Sequence, residues 1–229
     1  MINIMSFQFF ITGTDTNIGK TYVCCALLDY FSNLNYKIIG AKPISAGNDL
    51  LDHIYVNQDV YQIKKSSNVE VNYSEINYYA FDQPIAPHIA AKKNNITIDF
   101  ENIKNNLSKL EKKADIILIE GAGGYHVPLD NKRTIADLIT YLNIPIIFVA
   151  GIKLGCLNHT ILSIEAIKRR KQKIFGWVAN IVEHDMAQVN ENIEYLNKIF
   201  DAPCLAILPY AENSNNDKIK NYFSCPSLK

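Results

Sequence analysis

The sequence has no excess of charge of one sign, because 23 lysine and arginine residues balance 23 aspartate and glutamate residues among 229. This balance argues against a nucleic acid or an anionic membrane as the main partner. No apolar run reaches the roughly 18 residues that a transmembrane helix needs. The apolar segment 1–10 lacks the basic start of a signal peptide and is read as a buried strand. We expect a soluble protein whose partners are small molecules.

Cysteines that could form a metal site or a redox pair are also lacking. The five cysteines include no CxxC pair and no spacing with histidine that suits zinc. We interpret them as the reduced thiols of a cytoplasmic protein. Hydrophobic residues make up 48% of the chain, which is enough for one substantial core, so we expect a single domain.

Apolar runs alternate with helical patterns along most of the chain. The predicted strands are residues 7–12, 37–42, 116–120, 146–150, 174–180 and 204–208, and the predicted helices are residues 20–34, 100–113, 135–142, 159–170 and 189–200. This order indicates an α/β fold with a mostly parallel sheet and helices on both faces. The polar stretch 47–97 is an insertion that forms a lid, a helical excursion or a partner surface. Residues 212–229, rich in Asn, Ser and Lys, are expected to be a partly mobile tail.

A glycine-containing loop stands between the first predicted strand and the first predicted helix. Residues 13–21 read Gly-Thr-Asp-Thr-Asn-Ile-Gly-Lys-Thr, which is one residue longer than the usual G-x4-G-K-[ST] phosphate-binding loop. Such a loop points backbone N–H groups and a helix N-terminus at phosphate oxygens. Lys20 would reach the β- and γ-phosphates, and the Thr21 hydroxyl would bind the metal. The sequence therefore predicts binding of a nucleoside triphosphate with Mg²⁺.

Two further charged residues end predicted strands at the same edge of the sheet. Glu120 follows the apolar run 116–119 and opens Glu-Gly-Ala-Gly-Gly, and Lys42 closes the second strand. Ligands of open parallel sheets collect at the carboxyl ends of the strands. We therefore expect the Glu120 carboxylate to join Thr21 at the metal. Lys42 can neutralise the charge that develops on a transferring phosphoryl group.

The chain resembles the dethiobiotin synthetase family over nearly its whole length from Met5. The resemblance rests on the longer phosphate-binding loop, which is that family's form, and on Lys42-Pro43, Glu120–Gly124, Pro87-His88, Pro209-Tyr210 and the segments 151–159 and 176–180. It implies a single P-loop domain over residues 1–229, with 1–4 as an N-terminal extension. It also implies a ligase of biotin biosynthesis that converts 7,8-diaminononanoate, CO₂ and MgATP into dethiobiotin, ADP and phosphate through a carbamate and a carbamic-phosphoric anhydride.

The resemblance also assigns site residues by position. Thr21, Asp59 and Glu120 would hold Mg²⁺, although the insertion offers Asp49 and Asp52 as other carboxylates. The catalytic residues would be Lys20 and Lys42. ATP contacts are implied at Gly13, Asn17, Ile18, Gly19, Lys20, Thr21, Tyr22, Asp59, Glu120, Gly121, Ala122, Gly123, Asn180, Pro209, Tyr210 and Ala211, with Asn180 at the adenine and the last three bordering its pocket.

The same resemblance places the diamine at the subunit interface of a homodimer. Substrate contacts are implied at Ser45, Ala46, Gly124, Lys153, Gly155, Cys156 and Asn158, and backbone amides at a helix start near residue 159 would hold the substrate carboxylate. Two positions depart from the family. Many members have Ser or Thr where this chain has Ala46, with a hydroxyl at Ser45 instead. Ile181 replaces an Asp of some relatives, which predicts looser base selectivity.

Two other classes of protein fit parts of the pattern. A P-loop switch or partitioning ATPase would share the loop, the strand-end carboxylates and the dimer. Against it, Lys42-Pro43 and the segment 153–159 suit a small anionic substrate, and no terminal amphipathic membrane helix is visible. An ATP-dependent amidoligase is the third class, and the chain has no glutaminase-like Cys/His module to support it.

Overall fold

A computed structural model describes residues 6–210 and 216–228. Its centre is a six-stranded sheet in the order β10-β9-β8-β1-β7-β2, in which every neighbouring pair is parallel. These strands are β1 (Phe7–Gly13), β2 (Ile38–Ala41), β7 (Ile116–Glu120), β8 (Ile146–Ile152), β9 (Ile174–Ile181) and β10 (Cys204–Leu208). Two short pairs lie outside the sheet: β3 (Ile44–Ala46) with β6 (Tyr79–Phe81), and β4 (Asp49–Leu51) with β5 (Ile54–Val56).

Eight α-helices and one 3₁₀ helix are found among the described residues. The helices are α1 (Lys20–Asn33), α2 (Gln58–Ser66), α3 (Tyr73–Ile76), α4 (Pro87–Lys93), α5 (Phe100–Leu110), α6 (Ile135–Leu142), α7 (Cys156–Arg169), α8 (Val189–Ile199) and the 3₁₀ helix Asn216–Tyr222. No helix in this part of the chain is long and apolar enough to cross a membrane.

The central strands are apolar on both faces because helices cover both sides of the sheet. Successive side chains of a strand point to opposite faces, so Phe9 and Ile11 enter one core and Phe10 enters the other. Helix α1 and the 3₁₀ helix pack on the first face, and α5 to α8 pack on the second. This arrangement confirms the predicted α/β fold and its mostly parallel sheet.

All six predicted strands are present, and two helix boundaries were wrong. Helix α7 begins at Cys156 rather than near residue 159, because Gly155 adopts a left-handed conformation (φ 88°) that turns the chain directly into the helix. Helix α5 ends at Leu110 rather than at residue 113. The chain forms a tighter turn after Leu110, in which the N–H groups of Lys113 and Ala114 both donate to the Leu110 carbonyl.

The insertion 47–97 is largely a helical excursion beside β2. Helix α2 buries Val60 and Ile63 and packs against α1. Gly40 of β2 lets α2 approach the strand closely, because a Cβ at that position would lie 2.4 Å from the Ile63 Cγ2 atom. The insertion therefore rests on the sheet edge that carries Lys42.

The described part of the C-terminal segment packs onto the fold. Ile219 and Phe223 are buried in the core that contains α1, and the Ser224 N–H donates to the Leu205 carbonyl of β10 at 2.8 Å. Residues 1–5, 211–215 and 229 lie outside the described residues, and with them the predicted extension 1–4 and the predicted ATP contact Ala211.

Candidate active site

The phosphate-binding loop joins β1 to α1 at the carboxyl edge of the sheet. Asn17 and Gly19 have φ values of 56° and 79°, and α1 begins at Lys20, directly after Gly19. A side chain at Gly13 would not fit, because its Cβ would lie 2.3 Å from the Val149 carbonyl oxygen. The tight turn places the N-terminus of α1 beside the carboxyl ends of β1 and β8, where an anion is stabilised.

Lys20 is buried and folds back over this loop. Its Nζ donates to the Asp15 carbonyl at 2.7 Å. Burial lowers the pKa of Lys20 to about 8, although the nearby Glu120 carboxylate acts in the opposite direction. The Lys153 Nζ lies 3.5 Å from a carboxylate oxygen of Asp15, so a second ammonium group stands near the loop.

Lys42 lies between two carboxylates. Its Nζ is 2.5 Å from Glu120 Oε1 and 2.6 Å from Asp59 Oδ2, and the Thr21 hydroxyl donates to the same Glu120 oxygen at 3.0 Å. Burial acts to lower the pKa of Lys42, but the two carboxylates outweigh it and raise this pKa. Burial acts to raise the pKa of Asp59, but Lys42 holds it below the usual value. Residues of α1, α2 and β7 thus meet the first residue after β2 at one point.

The oxygen atoms of this cluster fit a hard divalent cation. Glu120 is 1% exposed, and its Oε2 atom is buried with no hydrogen-bond partner in the structure. Thr21 and Asp59 supply further oxygens next to it. The described residues contain no group of three or more His, Cys, Asp and Glu side chains that could hold a metal ion by themselves. Mg²⁺ binds in proteins through one or two carboxylates together with phosphate and water, which is the set that this edge can offer.

Asp59 is positioned by Asn57, which is not among the site residues predicted from the sequence. The Asn57 Oδ1 atom accepts from the Asp59 N–H at 3.1 Å and caps α2. The Asn57 Nδ2 atom donates to the carbonyls of Gly47 at 2.7 Å and Ala46 at 3.2 Å. Asparagine before a helical pattern is a capping signal, and it would have favoured Asp59. The competing Asp52 accepts instead from the Tyr61 hydroxyl.

Asn77 holds the segment that follows Lys42. Its Nδ2 donates to the Lys42 carbonyl at 2.7 Å, and its Oδ1 accepts from the Ser45 hydroxyl at 3.2 Å. Ser45 is 1% exposed, so its hydroxyl is used inside the protein. Nothing in the sequence pattern pointed to Asn77, because its partners Ser45 and Lys42 are 32 and 35 residues away along the chain.

A cavity of about 570 Å³ opens beside Lys42. Its walls come from the phosphate-binding loop, the segment after β2, the insertion and the glycine loop after β7: Thr16, Asn17, Lys42, Ser45, Ala46, Asn57, Asp59, Pro84, Ile85, Ala86, Pro87, Ala122, Gly123 and Val127. This volume lies in the usual range for small-molecule sites.

The glycine loop lies against the phosphate-binding loop. Gly121 donates its N–H to the Ile11 carbonyl at 3.0 Å. Gly123 has a φ of 65°, and a Cβ there would lie 2.6 Å from Val127 Cγ2. A Cβ at Gly124 would lie 3.4 Å from the Thr14 carbonyl oxygen. A Cβ at Gly123 would also lie 3.3 Å from the Thr16 Oγ1 atom, so the missing side chain at Gly123 lets the glycine loop approach the phosphate-binding loop closely.

Several predicted residues lie away from this cavity. Lys153, Gly155, Cys156 and Asn158 do not line it within one chain. Cys156 is buried, and its N–H already donates to the Lys153 carbonyl at 2.9 Å. On the predicted adenine side, Asn180 is buried, Tyr22 is half-buried, and Pro209 and Tyr210 are exposed. His184 meets the Tyr210 ring edge-on at 5.4 Å between centroids.

Solved structures of related shape include two MinD proteins. The septum site-determining protein MinD of Pyrococcus horikoshii, in complex with Mg-ADP, matches with a TM-score of 0.55 and 16% identity, covering 90% of this chain and 82% of that one. The MinD cell division protein of Aquifex aeolicus matches with a TM-score of 0.55 and 13% identity, covering 95% and 87%. At these identities the likeness establishes the P-loop fold alone.

Sequence comparison gives the family. An AAA-domain family model matches residues 8–218. An ATP-dependent dethiobiotin synthetase BioD of Wigglesworthia glossinidia brevipalpis is 42% identical over 210 residues, covering 91% of this chain and 92% of that protein. The protein of the same name from Vibrio cholerae is 36% identical, covering 96% and 95%. This chain therefore belongs to the ATP-dependent dethiobiotin synthetase family.

Proposed function

We propose that the cavity beside Lys42 is where this chain makes dethiobiotin from 7,8-diaminononanoate, CO₂ and ATP. The observation that carries the proposal is the meeting of Lys42, Glu120 and Asp59 beside the phosphate-binding loop, in a chain 42% identical to a dethiobiotin synthetase. One side of the cavity can take a triphosphate, and the other can take a small substrate next to it.

The reaction needs three consecutive bond-forming steps. One amine of the diamine adds to CO₂ and forms a carbamate. A carbamate oxygen then attacks the γ-phosphorus of ATP, so that ADP leaves and a carbamic-phosphoric anhydride forms. The second amine attacks the activated carbonyl carbon, the five-membered ureido ring closes, and phosphate leaves with the electron pair of the broken C–O bond.

The two lysines provide positive charge where oxygens gain negative charge. Lys20 Nζ lies over the phosphate-binding loop, held by the Asp15 carbonyl, and is placed to contact the β- and γ-phosphates. Lys42 lies at the cavity wall, with a pKa that its two carboxylates keep raised. It therefore carries its full charge near neutral pH and can stabilise the carbamate and the transferring phosphoryl group.

A bound Mg²⁺ would be held by Thr21, Asp59 and Glu120 together with phosphate oxygens. The unpartnered Glu120 Oε2 atom and the adjoining Thr21 hydroxyl support this assignment. The ion would supply Lewis-acid charge neutralisation on the triphosphate. The chain's own contribution is to keep Glu120 buried and oriented by Thr21 and Lys42.

We infer that the protein acts in the cytoplasm as a homodimer. The positions of the remaining predicted substrate contacts support the dimer. Ala46 lines the cavity beside Lys42, whereas Gly124 and the segment from Lys153 to Asn158 do not line it in one chain. Leu154 in this segment is 86% exposed. A second copy of the chain could bring this segment to the substrate's carboxylate end. Size-exclusion chromatography with light scattering should give a dimer, and a monomer with full activity would refute this part.

The test is formation of dethiobiotin by the purified chain from the diamine, bicarbonate and MgATP. Product should appear together with ADP release that depends on the diamine. Lys20→Ala and Lys42→Ala should each lose most turnover, because several kcal/mol of charge stabilisation are removed. Lys113→Ala is the matched control, since Lys113 pairs with Glu75 on the surface, and it should remain active. ADP release without any need for the diamine would instead support a switch ATPase.

A further inference from the structure

Asn180 lies near the carboxyl end of β9, at the same edge of the sheet as the phosphate-binding loop. It pairs in register with Gly151 of β8 and with Leu208 of β10, and it is 5% exposed. Buried asparagine is costly unless its amide is hydrogen-bonded. Its partner here is part of the phosphate-binding loop.

The Asn180 amide holds the turn of that loop. Its Nδ2 donates to the Ile18 carbonyl at 2.8 Å, in a buried contact between residues 162 positions apart. The next residue, Gly19, has a φ of 79°, and a Cβ there would lie 2.2 Å from the same Nδ2 atom. Asn180 therefore packs directly on the peptide that joins Ile18 to Gly19, one residue before Lys20.

The Ile18 side chain is held from the other side. A Cβ at Gly151 would lie 2.5 Å from Ile18 Cγ2, and one at Gly13 would lie 2.5 Å from Ile18 Cδ1. Ile18 is fully buried. Because packing fixes the side chain and Asn180 fixes the carbonyl, the peptide plane before Gly19 has one orientation. That plane contains the Gly19 N–H group and therefore determines where this N–H points.

We propose that Asn180 is a positioning residue for the phosphates, acting through the Ile18 carbonyl in addition to any contact with the nucleotide base. The amide has two N–H donors and an acceptor oxygen. After the bond to Ile18 forms, one N–H and the oxygen remain available to contact a nucleotide base. The same side chain would then contact the base and orient the loop that binds the phosphates. This inference rests on the proposed ATP site but does not depend on the identity of the second substrate.

Inorganic tripolyphosphate separates the two roles, because it has no base. Its affinity with Mg²⁺ should be measured by competition with a fluorescent nucleotide for the wild type and for Asn180→Leu, which keeps the size but has no donor. Leaving the Ile18 carbonyl without its donor should weaken tripolyphosphate binding about tenfold or more. ATP should weaken at least as much. Tyr210→Ala is the control at the predicted base pocket and should leave tripolyphosphate affinity unchanged.

Thermal unfolding without ligand separates a positioning effect from a loss of fold. If Asn180→Leu is unfolded, Asn180→Ser provides the same comparison, since its shorter side chain cannot keep the amide contact. Tripolyphosphate affinity within twofold of the wild type in a folded variant overturns the proposal. Failure of tripolyphosphate to bind the wild type also overturns it. Dethiobiotin synthesis by the same wild-type preparation is scored separately, so that failure of the proposed function remains distinguishable.

Discussion

Lys42→Met tests how strongly the buried ammonium stabilises the ligand-free protein. The side chain of Glu120 is 1% exposed and that of Asp59 is 41% exposed. The two ion pairs of Lys42 therefore contribute unequally to the free energy of unfolding. Leaving a buried carboxylate unpaired costs about 3–5 kcal/mol, whereas the pair with the partly exposed Asp59 contributes less, since exposed pairs contribute only about 0.2–1 kcal/mol. We expect the free energy of unfolding to fall by about 3–4 kcal/mol, which corresponds to a Tm lower by about 6–16 °C at this chain length.

The double variant Lys42→Met/Glu120→Gln should be more stable than Lys42→Met alone. Removing the charge of Glu120 removes the group that the first substitution leaves unpaired, so the loss should shrink to about 1–2 kcal/mol. With Glu120→Gln alone as the fourth member of the cycle, the expected coupling energy is about 1 kcal/mol or more. Urea unfolding with EDTA and without nucleotide measures it, because a divalent cation would otherwise neutralise Glu120.

Two results would refute this reasoning about Lys42. The first is a loss below about 1 kcal/mol in Lys42→Met, since a buried carboxylate should not tolerate removal of its partner so easily. The second is a double variant no more stable than the single one. Lys113→Met is the matched control, because Lys113 and Glu75 form a pair that is 40% and 31% exposed. It should change the free energy of unfolding by less than about 1 kcal/mol.

Two further predictions concern stability. Asn57→Ala loses the cap of α2 and two bonds to carbonyls, and chemical denaturation should show a loss of about 1–2 kcal/mol; no change would contradict the capping role. Burial acts to raise the pKa of Asp137, but bonds from Thr134 and Arg170 lower it overall. Its contribution is therefore present above the unfolded pKa of about 3.9 and is lost as the pH falls through the lower folded value. Asp137→Asn should cost about 1 kcal/mol at pH 7, and its difference from the wild type should shrink in acid.

The sheet could be predicted from the sequence because its strands are buried on both faces. Such strands appear as unbroken apolar runs, as in β7, and the helices between them have clear apolar stripes. The insertion could not be predicted in detail. Its strands β4, β5 and β6 are three residues long, and α3 has four residues, which is too short for either periodicity to be recognised.

The candidate site was predictable where a residue ends a strand or opens a helix. Glu120 and Lys42 are of this kind, and the structure brings them into contact. Asp59 was assigned only by the family resemblance, because its position depends on the fold of α2 over β2. The bond from Asn180 to Ile18 also has no local signal, since it links distant parts of the chain. Contacts of this type follow from the sheet order and not from spacing.

The central position of β1 affects the order in which the protein can assemble during synthesis. This first strand lies between β7 and β8, and Phe10 pairs with Ile119 and Ile146. At a synthesis rate of about 5–20 residues per second, its second neighbour is made on the order of 10 s later. The Thr14 N–H donates to the Val149 carbonyl, so this hydrogen bond of the loop also forms only after β8 has been made. A nascent chain therefore leaves the β8 side of β1 unpaired for this interval and completes its phosphate-binding loop only after β8 has emerged.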